Sequence, residues 1–340
     1  MKRYGHLFEQ FATYENLDLA ERKARKGKGS RHEVRKFLEH RKERIDAILQ
    51  QLIDGTFVPS KHKWKTVYDP KKRVIGVSPY YPDLIVQYAL LNVLEPIWMR
   101  QMISTTYSCI KGRGIHACAN TLRKHLKAFP EETTYFLQLD ISKCYNNINH
   151  QVLEDKIRRK IKDERLLAVL FKIIEAESGL VIGDHIASWL CNIHLSCLDH
   201  RVKEIMKTRH YFRYADDIVV LADSKEYLWR VLDFIERELK SIGMRVKHNA
   251  HVRPVEAQGI DFIGYVFYHE HTLVRKRIKI HLLRKARKLA KKNLTIEEIK
   301  QELAGHWGWL KHCDSKNLQT KISKILGYEN FFKSDARCIA

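Results

Sequence analysis

Two adjacent aspartates, Asp216 and Asp217, lie in the segment FRYADDIVVLADS (212–224), whose following residues are mostly apolar. Carboxylates that crowd together repel one another unless positive charge lies between them. A second apolar segment, TYFLQLDIS (134–142), carries Asp140 near its end. If the two segments are neighbouring strands, the three carboxylates meet and offer the oxygen ligands that Mg²⁺ prefers. Two such ions would activate an attacking hydroxyl and neutralise a leaving pyrophosphate.

An Asp-rich hairpin turn is the alternative interpretation of Asp216 and Asp217, because aspartate is common in turns. Such a turn is solvated, whereas both sides of this pair are apolar. We therefore favour a metal-binding role.

Length, charge and cysteine content narrow the class of protein. The 340 residues are 44% hydrophobic, which is enough for two or three subdomains. Lys and Arg number 62 against 40 acidic residues, a net charge of +22, so we expect a nucleic acid as partner rather than a membrane. A merely solvated basic surface is the alternative.

The seven cysteines form no CxxC pair and indicate reduced thiols of an intracellular, cytoplasmic protein. The chain shows no transmembrane run or signal peptide.

The apolar spacing predicts helices and strands that alternate and then form a hairpin, which favours an antiparallel-rich α+β domain. Predicted helices cover 5–24, a segment from the basic loop 23–31 to about 54–55, 82–99 with Asp83 as N-cap, 115–128, 151–176 as one or two helices, 187–206, 225–242 and 278–292. Predicted strands cover 61–79, 134–142, a short piece in 179–184, the hairpin from Tyr211, and 259–268.

The motifs in this order resemble those of bacterial reverse transcriptases over nearly the whole chain. The resemblance rests on the following segments: KKRVIGVSPYYPDLIVQYALLNVLEP (71–96), LQLDISKCYNNI (137–148), IGDHIASWLCNIHLSCLD (182–199), YADD (214–217), GIDFIGYVFY (259–268) and ELAGHWGWLKHCDSKNL (302–318). It implies a right-hand polymerase fold of fingers, palm and thumb with an antiparallel palm sheet. The implied divisions are an N-terminal helical extension (1–60), fingers interleaved with palm (61–133), palm (134–270) and a helical thumb (271–340).

The same resemblance implies roles for individual residues. Asp140, Asp216 and Asp217 would be the catalytic metal ligands, with the carbonyl of Ile141 as a further ligand. The two ions would be Mg²⁺, and Mn²⁺ can substitute. Residues implied to contact the incoming nucleotide are Lys72, Arg73, Tyr145, Gly183, Ser188, Asn192 and Lys247.

Three of these assignments have specific reasons or competitors. The Tyr145 ring would clash with a 2′-hydroxyl and so select deoxynucleotides, although an ordinary half-buried tyrosine is the alternative. Lys72 and Arg73 would clamp the triphosphate, against an exposed basic hairpin. Lys247 is a candidate general acid for pyrophosphate, in competition with other basic residues nearby.

The basic C-terminal segment 275–292 predicts an amphipathic helix that grips a template–primer duplex. Its contacts would be Arg284, Lys285, Arg287, Lys288, Lys291 and Lys292. Lys111 and Arg113 are further nucleic-acid candidates, and the loop 23–31 is a second RNA contact or a surface loop that touches nothing. We expect His306, Trp307 and Trp309 to be packed core aromatics rather than stacking surfaces.

Three positions depart from the family pattern, namely Ala187-Ser188 after the glycine turn, Leu84 after Asp83, and Ile110 where relatives place an arginine. None removes a metal ligand, but all lie where the template base or the triphosphate is read. Chain length and thumb favour the reverse transcriptases of diversity-generating retroelements, and the altered glycine turn favours the antiphage defence group.

The resulting hypothesis is an RNA-directed DNA polymerase that works with a dedicated noncoding or template RNA, an RNA–DNA duplex and dNTPs. An accessory protein or a sister reverse transcriptase is a further expected partner, and a bacterial or phage origin is implied. Alternatives are a defence polymerase that makes repetitive or untemplated DNA, and a non-catalytic RNA-binding subunit. A maturase role ranks lower.

Overall fold

The computed structural model describes residues 3–68, 72–328 and 331–332. Lys71, Cys338 and the last residues of the predicted thumb therefore lie outside the described residues. The four predicted divisions of the chain stay predictions.

The N-terminal half is mainly helical. Its elements are α1 (Phe8–Phe11), α2 (Tyr14–Arg25), α3 (His32–Leu38), α4 (Arg41–Ile53), β1 (Lys63–Val67), β2 (Arg73–Val77), a π-helical turn (Tyr80–Leu84), α5 (Ile85–Met99), β3 (Thr106–Tyr107), α6 (Ile115–Ala128), a 3₁₀ turn (Glu131–Thr133) and β4 (Tyr135–Asp140).

The C-terminal half contains most of the central sheet and ends in three helices. Its elements are α7 (His150–Arg158), α8 (Glu164–Glu175), α9 (Ala187–Glu204), β5 (His210–Tyr214), β6 (Asp217–Ala222), α10 (Lys225–Ser241), β7 (His251–Pro254), α11 (Val255–Gln258), β8 (Ile260–Phe262), β9 (Tyr265–Phe267), β10 (Thr272–Val274), α12 (Lys276–Leu289), α13 (Ile296–Lys311) and α14 (Lys316–Leu326).

The central sheet has five strands in the order β3-β5-β6-β4-β7. All pairs are antiparallel except β3 with β5. Alternate residues face opposite sides, as the strand period of two requires: Ile218 and Val220 join the large core on the side of α9 and α10, whereas Val219 and Leu221 join a second core with α6. The antiparallel-rich α+β prediction is confirmed.

Two smaller units flank this sheet. Strands β1 and β2 form a two-stranded hairpin, and β8, β9 and β10 form a three-stranded sheet. Helices α12, α13 and α14 bury an apolar cluster of their own. No helix in the described ranges is both long and apolar enough to span a bilayer.

Several predicted elements need correction. The helix predicted over 5–24 is interrupted at Ala12-Thr13, and the next one divides into α3 and α4. The short strand predicted in 179–184 is only an isolated bridge. The strand predicted over 259–268 is a hairpin, because Ile263 and Gly264 both have positive φ and reverse the chain. Trp309 packs directly against Gly264, so it is a packed aromatic as predicted.

Asp83 is not the N-cap of α5. It lies inside the π-helical turn that precedes this helix, is 4% exposed, and accepts a hydrogen bond from the Ser60 amide at 2.7 Å. Its carboxylate therefore holds the segment before β1 against the start of α5. Sequence spacing alone could not show that partner, which lies 23 residues earlier.

Two glycines let the hairpin β1–β2 approach the turn before α9. The Gly76 amide donates to the Ile182 carbonyl at 2.9 Å. Gly183 has φ +125°, and a Cβ there would lie 2.1 Å from the Gly76 carbonyl oxygen. Backbone therefore meets backbone at this crossing, and only glycine fits.

We predict that Gly183→Ala lowers the free energy of unfolding by about 3 kcal/mol, because it adds both backbone strain and a steric clash. The matched control is Gly55→Ala, which has φ +70° with no neighbour within 4 Å and should cost about 1 kcal/mol. Urea unfolding measures both values. Equal losses would show that the crossing does not constrain Gly183.

Candidate active site

The three aspartates meet at one edge of the central sheet. Strands β4 and β6 pair in a register that sets Asp140 opposite Asp217. The Ile141 amide donates to the Asp216 carbonyl at 3.1 Å, which fastens the hairpin turn to the end of β4. The expected pairing of the two strands is confirmed, and it sets Asp217 directly opposite Asp140.

Crowding changes the electrostatics of these carboxyls. Burial, and then the charges of Asp216 and Asp140, raise the pKa of Asp217 to about 6. Burial and then Asp140 also raise the pKa of Asp216, while Lys247 and Arg73 oppose that rise. The site therefore holds more negative charge than its surroundings neutralise.

Lys247 supplies the nearest positive charge. Its ammonium forms an ion pair with Asp140 Oδ2, and its amide donates to the Asp140 carbonyl at 2.8 Å. Asp140 Oδ1 is buried without a hydrogen-bond partner among the described residues. A carboxylate oxygen left in this state, beside two further crowded carboxyls, has the donor chemistry of a divalent-cation site.

In this structure the side chains of Asp140, Asp216 and Asp217 do not form a complete set of metal ligands. Among the residues that the structure describes, no three His, Cys, Asp or Glu side chains are grouped so that they could hold a metal ion. At this edge Asp140 is instead paired with Lys247. The metal assignment of Asp140, Asp216 and Asp217, and that of the Ile141 carbonyl, stays a prediction. A cavity of about 300 Å³ opens beside Asp140 and Asp217, so the carboxylates are accessible.

A buried ion pair supports the hairpin turn. Arg213 and Asp199 are both fully buried and form two hydrogen bonds of 2.7 Å, from Nε to Oδ1 and from Nη2 to Oδ2. Arg213 Nη1 also donates to the carbonyl of Ala215 at 2.9 Å. Ala215 has φ +54°, an unfavourable conformation for alanine, so this bond holds the turn that carries the aspartates.

Further polar groups complete this network. Tyr211 and Thr106 donate to the two oxygens of Asp199 at 2.7 and 2.8 Å. The sequence analysis missed the network. The available signal was an arginine inside the otherwise apolar strand HYFRY and an aspartate inside the apolar helix LSCLD.

Asn192, predicted to contact the nucleotide, belongs to the same buried network. Its Oδ1 accepts from Arg213 at 2.9 Å, and its Nδ2 donates to the Ser108 carbonyl at 3.1 Å. The side chain is 2% exposed. Both polar ends are thus used inside the protein, so we correct its role to that of a positioning residue.

Tyr145 and Ser188, both predicted nucleotide contacts, touch one another. The Tyr145 hydroxyl lies 3.2 Å from Ser188 Oγ, and burial raises the pKa of Tyr145. The Tyr145 carbonyl accepts from the Leu180 amide at 2.8 Å. The ring is therefore fixed between the loop after β4 and the first turn of α9.

The glycine turn before α9 is held by a polar cluster that sequence reasoning did not find. Asp184, directly after Gly183, contacts His62 Nε2 at 3.1 Å and also bonds the Ser78 hydroxyl. Gln87 accepts from the His185 amide at 2.8 Å. These contacts tie the turn to the hairpin β1–β2 and to α5.

The predicted phosphate-binding residues of the fingers lie at the start of β2. Lys72 and Arg73 are both exposed. The charge of Arg73 opposes part of the rise in the pKa of Asp216 that burial and Asp140 cause, so that guanidinium is within electrostatic range of the site.

Of the two cations in the loop 106–114 that were predicted to contact nucleic acid, one is used inside the protein. Lys111 is exposed, whereas Arg113 donates to the Ile103 carbonyl at 2.7 Å and braces the loop. Ile110 is buried at 4% exposure.

Helix α12 presents Arg284, Arg287 and Lys288 to solvent. Lys285 differs from the prediction, because its ammonium pairs with Glu302 of α13 at 3.1 Å. Lys291 and Lys292 are exposed but lie beyond the end of the helix at Leu289, whereas the predicted helix included them.

One family model and two relatives each match more than half of this chain. Residues 61–267 match the model described as reverse transcriptase (RNA-dependent DNA polymerase). The chain is 25% identical over 285 residues to Protein YkfC of Escherichia coli K12, covering 68% of this chain and 72% of that protein. It is 23% identical over 283 residues to the retron Ec73 reverse transcriptase of Escherichia coli, covering 76% and 82%.

Two further matches cover a smaller share of the protein with which this chain is compared. The group II intron-encoded protein LtrA of Lactococcus lactis is 27% identical over 179 residues, which cover 48% of this chain but only 29% of LtrA. Apo telomerase from Candida tropicalis superimposes with a TM-score of 0.51 at 15% identity, covering 78% of this chain and 59% of the other. At that identity the likeness concerns the fold alone, and it confirms the right-hand α/β architecture.

We predict that Asp199→Asn lowers the free energy of unfolding by about 3–5 kcal/mol, because it leaves Arg213 buried without its counter-charge. The control is Glu164→Gln in the exposed pair with Arg158, at 2.8 Å, where the loss should stay under about 1 kcal/mol. Chemical denaturation compares the two. Similar small losses would contradict a structural role for the buried pair.

We also predict that the Asp217 carboxyl destabilises the metal-free protein increasingly as pH rises from about 4 to about 7. The pKa of Asp217 is raised from 3.8 to about 6 in the folded state. Its contribution is therefore fully present below the unfolded value and is lost as pH passes through the folded one. At pH 7.5, Asp217→Asn should stabilise the metal-free protein by about 2 kcal/mol, and MgCl₂ should raise Tm of the wild type but not of Asp217→Asn.

Thermal unfolding with and without MgCl₂ measures these shifts, and Asp223→Asn at an exposed position is the control that should change neither. A destabilised Asp217→Asn protein, or a wild type indifferent to MgCl₂, would contradict the electrostatic account.

Proposed function

Because this chain belongs to the reverse transcriptase (RNA-dependent DNA polymerase) family, we propose that it extends a primer 3′-hydroxyl with deoxynucleotides on an RNA template. The observation that carries this proposal is the meeting of Asp140 with Asp216 and Asp217 at one sheet edge. A scaffold that only held RNA would gain nothing from buried, crowded carboxyls, whose raised pKa values mark a functional site.

Asp140, Asp216 and Asp217 would hold two Mg²⁺ ions, with the Ile141 carbonyl as a further ligand. When bound, such a pair lowers the pKa of the attacking hydroxyl and neutralises charge on the leaving pyrophosphate. In the metal-free protein the Lys247 ammonium balances Asp140. Once released, it would lie beside the triphosphate and could donate a proton to pyrophosphate.

Other residues would orient the nucleotide. The exposed Arg73, with Lys72 before it, would bind phosphate oxygens through charge-assisted hydrogen bonds. Tyr145, fixed by Ser188, would lie beneath the sugar and exclude a 2′-hydroxyl. Gly183 would keep the turn before α9 thin enough for a template base pair above it.

The duplex would lie against α12, whose exposed Arg284, Arg287 and Lys288 suit a phosphate backbone. A net charge of +22 supports a nucleic-acid partner more broadly and predicts steep salt dependence. The template would be a dedicated noncoding RNA, in the cytoplasm of a bacterial or phage-infected cell, with an accessory protein or sister subunit as an additional partner.

Two biological roles remain compatible with these residues, mutagenic retrohoming and antiphage defence. The altered Ala187-Ser188, Leu84 and Ile110 positions would lie around the template and the nucleotide, so they favour unusual rather than ordinary copying. A polymerase that makes repetitive or untemplated DNA is therefore the second candidate.

We predict that Asp216→Asn with Asp217→Asn lowers incorporation of labelled dNTPs by at least about 1,000-fold, because loss of charge stabilisation of this kind costs about 4 kcal/mol or more. Primer extension on poly(rA)–oligo(dT) with MgCl₂ measures the rate. Asp223→Asn is the exposed control. Equal incorporation by the wild type and the double variant would refute catalysis at this site, and RNA binding without incorporation would favour the scaffold alternative.

We predict that Tyr145→Ala raises the ratio of ribonucleotide to deoxynucleotide incorporation by about tenfold or more, since removal of the ring removes a steric clash. Tyr145→Phe keeps the ring but loses the contact with Ser188, so it should retain discrimination. Single-nucleotide extension with rNTP or dNTP gives both ratios. An unchanged ratio in Tyr145→Ala would mean that the ring is only a packing residue.

A further inference from the structure

A second cavity, of about 360 Å³, lies beside α9 and away from the catalytic hairpin. Its walls are the end of α5, the end of α7 and one side of α9. None of the residues that line it belongs to the central sheet or to α12–α14. The proposed polymerase site does not use this cavity.

Helix geometry separates this cavity from the buried network under the active site. Asn192 and Asp199, seven residues apart, both bond Arg213. Ile193, Cys197 and His200 line the cavity instead. One residue along an α-helix turns the side-chain direction by about 100°, so α9 serves the sheet with one face and the cavity with the next.

The cavity wall carries four cationic side chains, Arg100, Lys156, Arg159 and Lys160. Among the described residues, none of the four has a carboxylate within 4 Å. Neighbouring cations on the same helices are neutralised, because Arg158 pairs with Glu164 at 2.8 Å and Arg201 pairs with Glu238 at 2.6 Å. The four cations at the cavity thus lack the carboxylate partners that these two neighbours have.

Lys156 is the inner member of this group. Its ammonium donates to the His194 carbonyl, and burial lowers its pKa, with Arg159 adding repulsion. Arg100 also donates to the Tyr4 hydroxyl at 3.1 Å. The half-buried positive charge of Lys156 lacks a counter-ion within the described part of the chain, which is unfavourable, and a bound anion would relieve it.

The remaining wall is apolar or already hydrogen-bonded. Ile193 and Cys197 give an apolar surface, and Ser196 Oγ donates to the Ile193 carbonyl at 2.8 Å. Both nitrogens of His200 are used, by the Gln101 carbonyl at 3.0 Å and by Glu204 at 3.0 Å. The groups left for a ligand are therefore the cations and the Gln101 amide, above an apolar floor.

We propose that this cavity binds the phosphate groups of a nucleotide unit, with its base or ribose on the apolar floor. Its size is within the range of small-ligand sites, and Arg and Lys are the side chains that most often contact phosphate oxygens. The phosphate is supplied either by an RNA strand that crosses this side of α9 or by a free polyphosphate. The site is distinct from the cleft that would hold the primer–template, and its occupation does not depend on catalysis.

The test uses Arg159→Glu with Lys160→Glu in the full chain, and binding is measured without Mg²⁺ or dNTPs. The first probe is a fluorescein-labelled 20-nucleotide oligouridylate, followed by anisotropy across a KCl series. The second is inorganic tripolyphosphate, followed by calorimetry. The control is Arg230→Glu with Arg237→Glu on the exposed face of α10, which changes the net charge equally.

We expect the Arg159/Lys160 variant to bind oligouridylate about tenfold more weakly, with a salt slope smaller by about 1, since each phosphate contact on a single strand contributes about 0.7. The control should change affinity less than about threefold. Arg159→Gln with Lys160→Gln removes the two charges without reversing them. It should weaken oligouridylate binding in the same direction as the Glu variant, but by less, and leave Tm unchanged.

Loss of oligouridylate binding supports an RNA strand as the source, and loss of tripolyphosphate binding alone supports a free polyphosphate. Two outcomes would overturn the proposal. One is unchanged binding of both probes, and the other is equal weakening in the α10 control, which would reduce the effect to net charge.

Discussion

The buried ion pair between Arg213 and Asp199 is the interaction on which the site depends. It joins β5 to α9, while the third guanidinium nitrogen, Nη1, donates to the Ala215 carbonyl at 2.9 Å. A buried pair of this kind gains little over an apolar pair of the same size, but breaking it is costly. Its value here is positional, because it fixes a turn with a positive φ residue and thereby sets Asp217 opposite Asp140.

The aspartates themselves oppose folding. Burial and mutual repulsion raise the pKa of Asp217 to about 6, so the metal-free protein holds its charge at the expense of stability, as functional sites commonly do. Lys247 offsets part of this repulsion through Asp140. If a cation bound at Asp140, this ammonium would have to move away, so cation binding would be coupled to the position of Lys247.

Much of this arrangement could be predicted from the sequence, because Asp140 and Asp216–Asp217 end or interrupt apolar strands and strands of that kind pair in a core. The resemblance of YADD and LQLDISKCYNNI to a known family fixed which strands pair. The rest depends on tertiary partners that spacing does not encode. Asp83 caps nothing and binds Ser60 instead, Asn192 turns inward to Arg213, and Lys285 is neutralised by Glu302 from the next helix.

The central claim is that the three aspartates form one divalent-cation site at the sheet edge. Its most direct test is anomalous diffraction from crystals of the chain grown with a primer–template, a non-hydrolysable dNTP and Mn²⁺. The account predicts two anomalous peaks within about 2–2.5 Å of carboxylate oxygens of Asp140, Asp216 and Asp217, with Lys247 moved away from Asp140. Manganese bound elsewhere, with the contact between Asp140 and Lys247 intact, would contradict it.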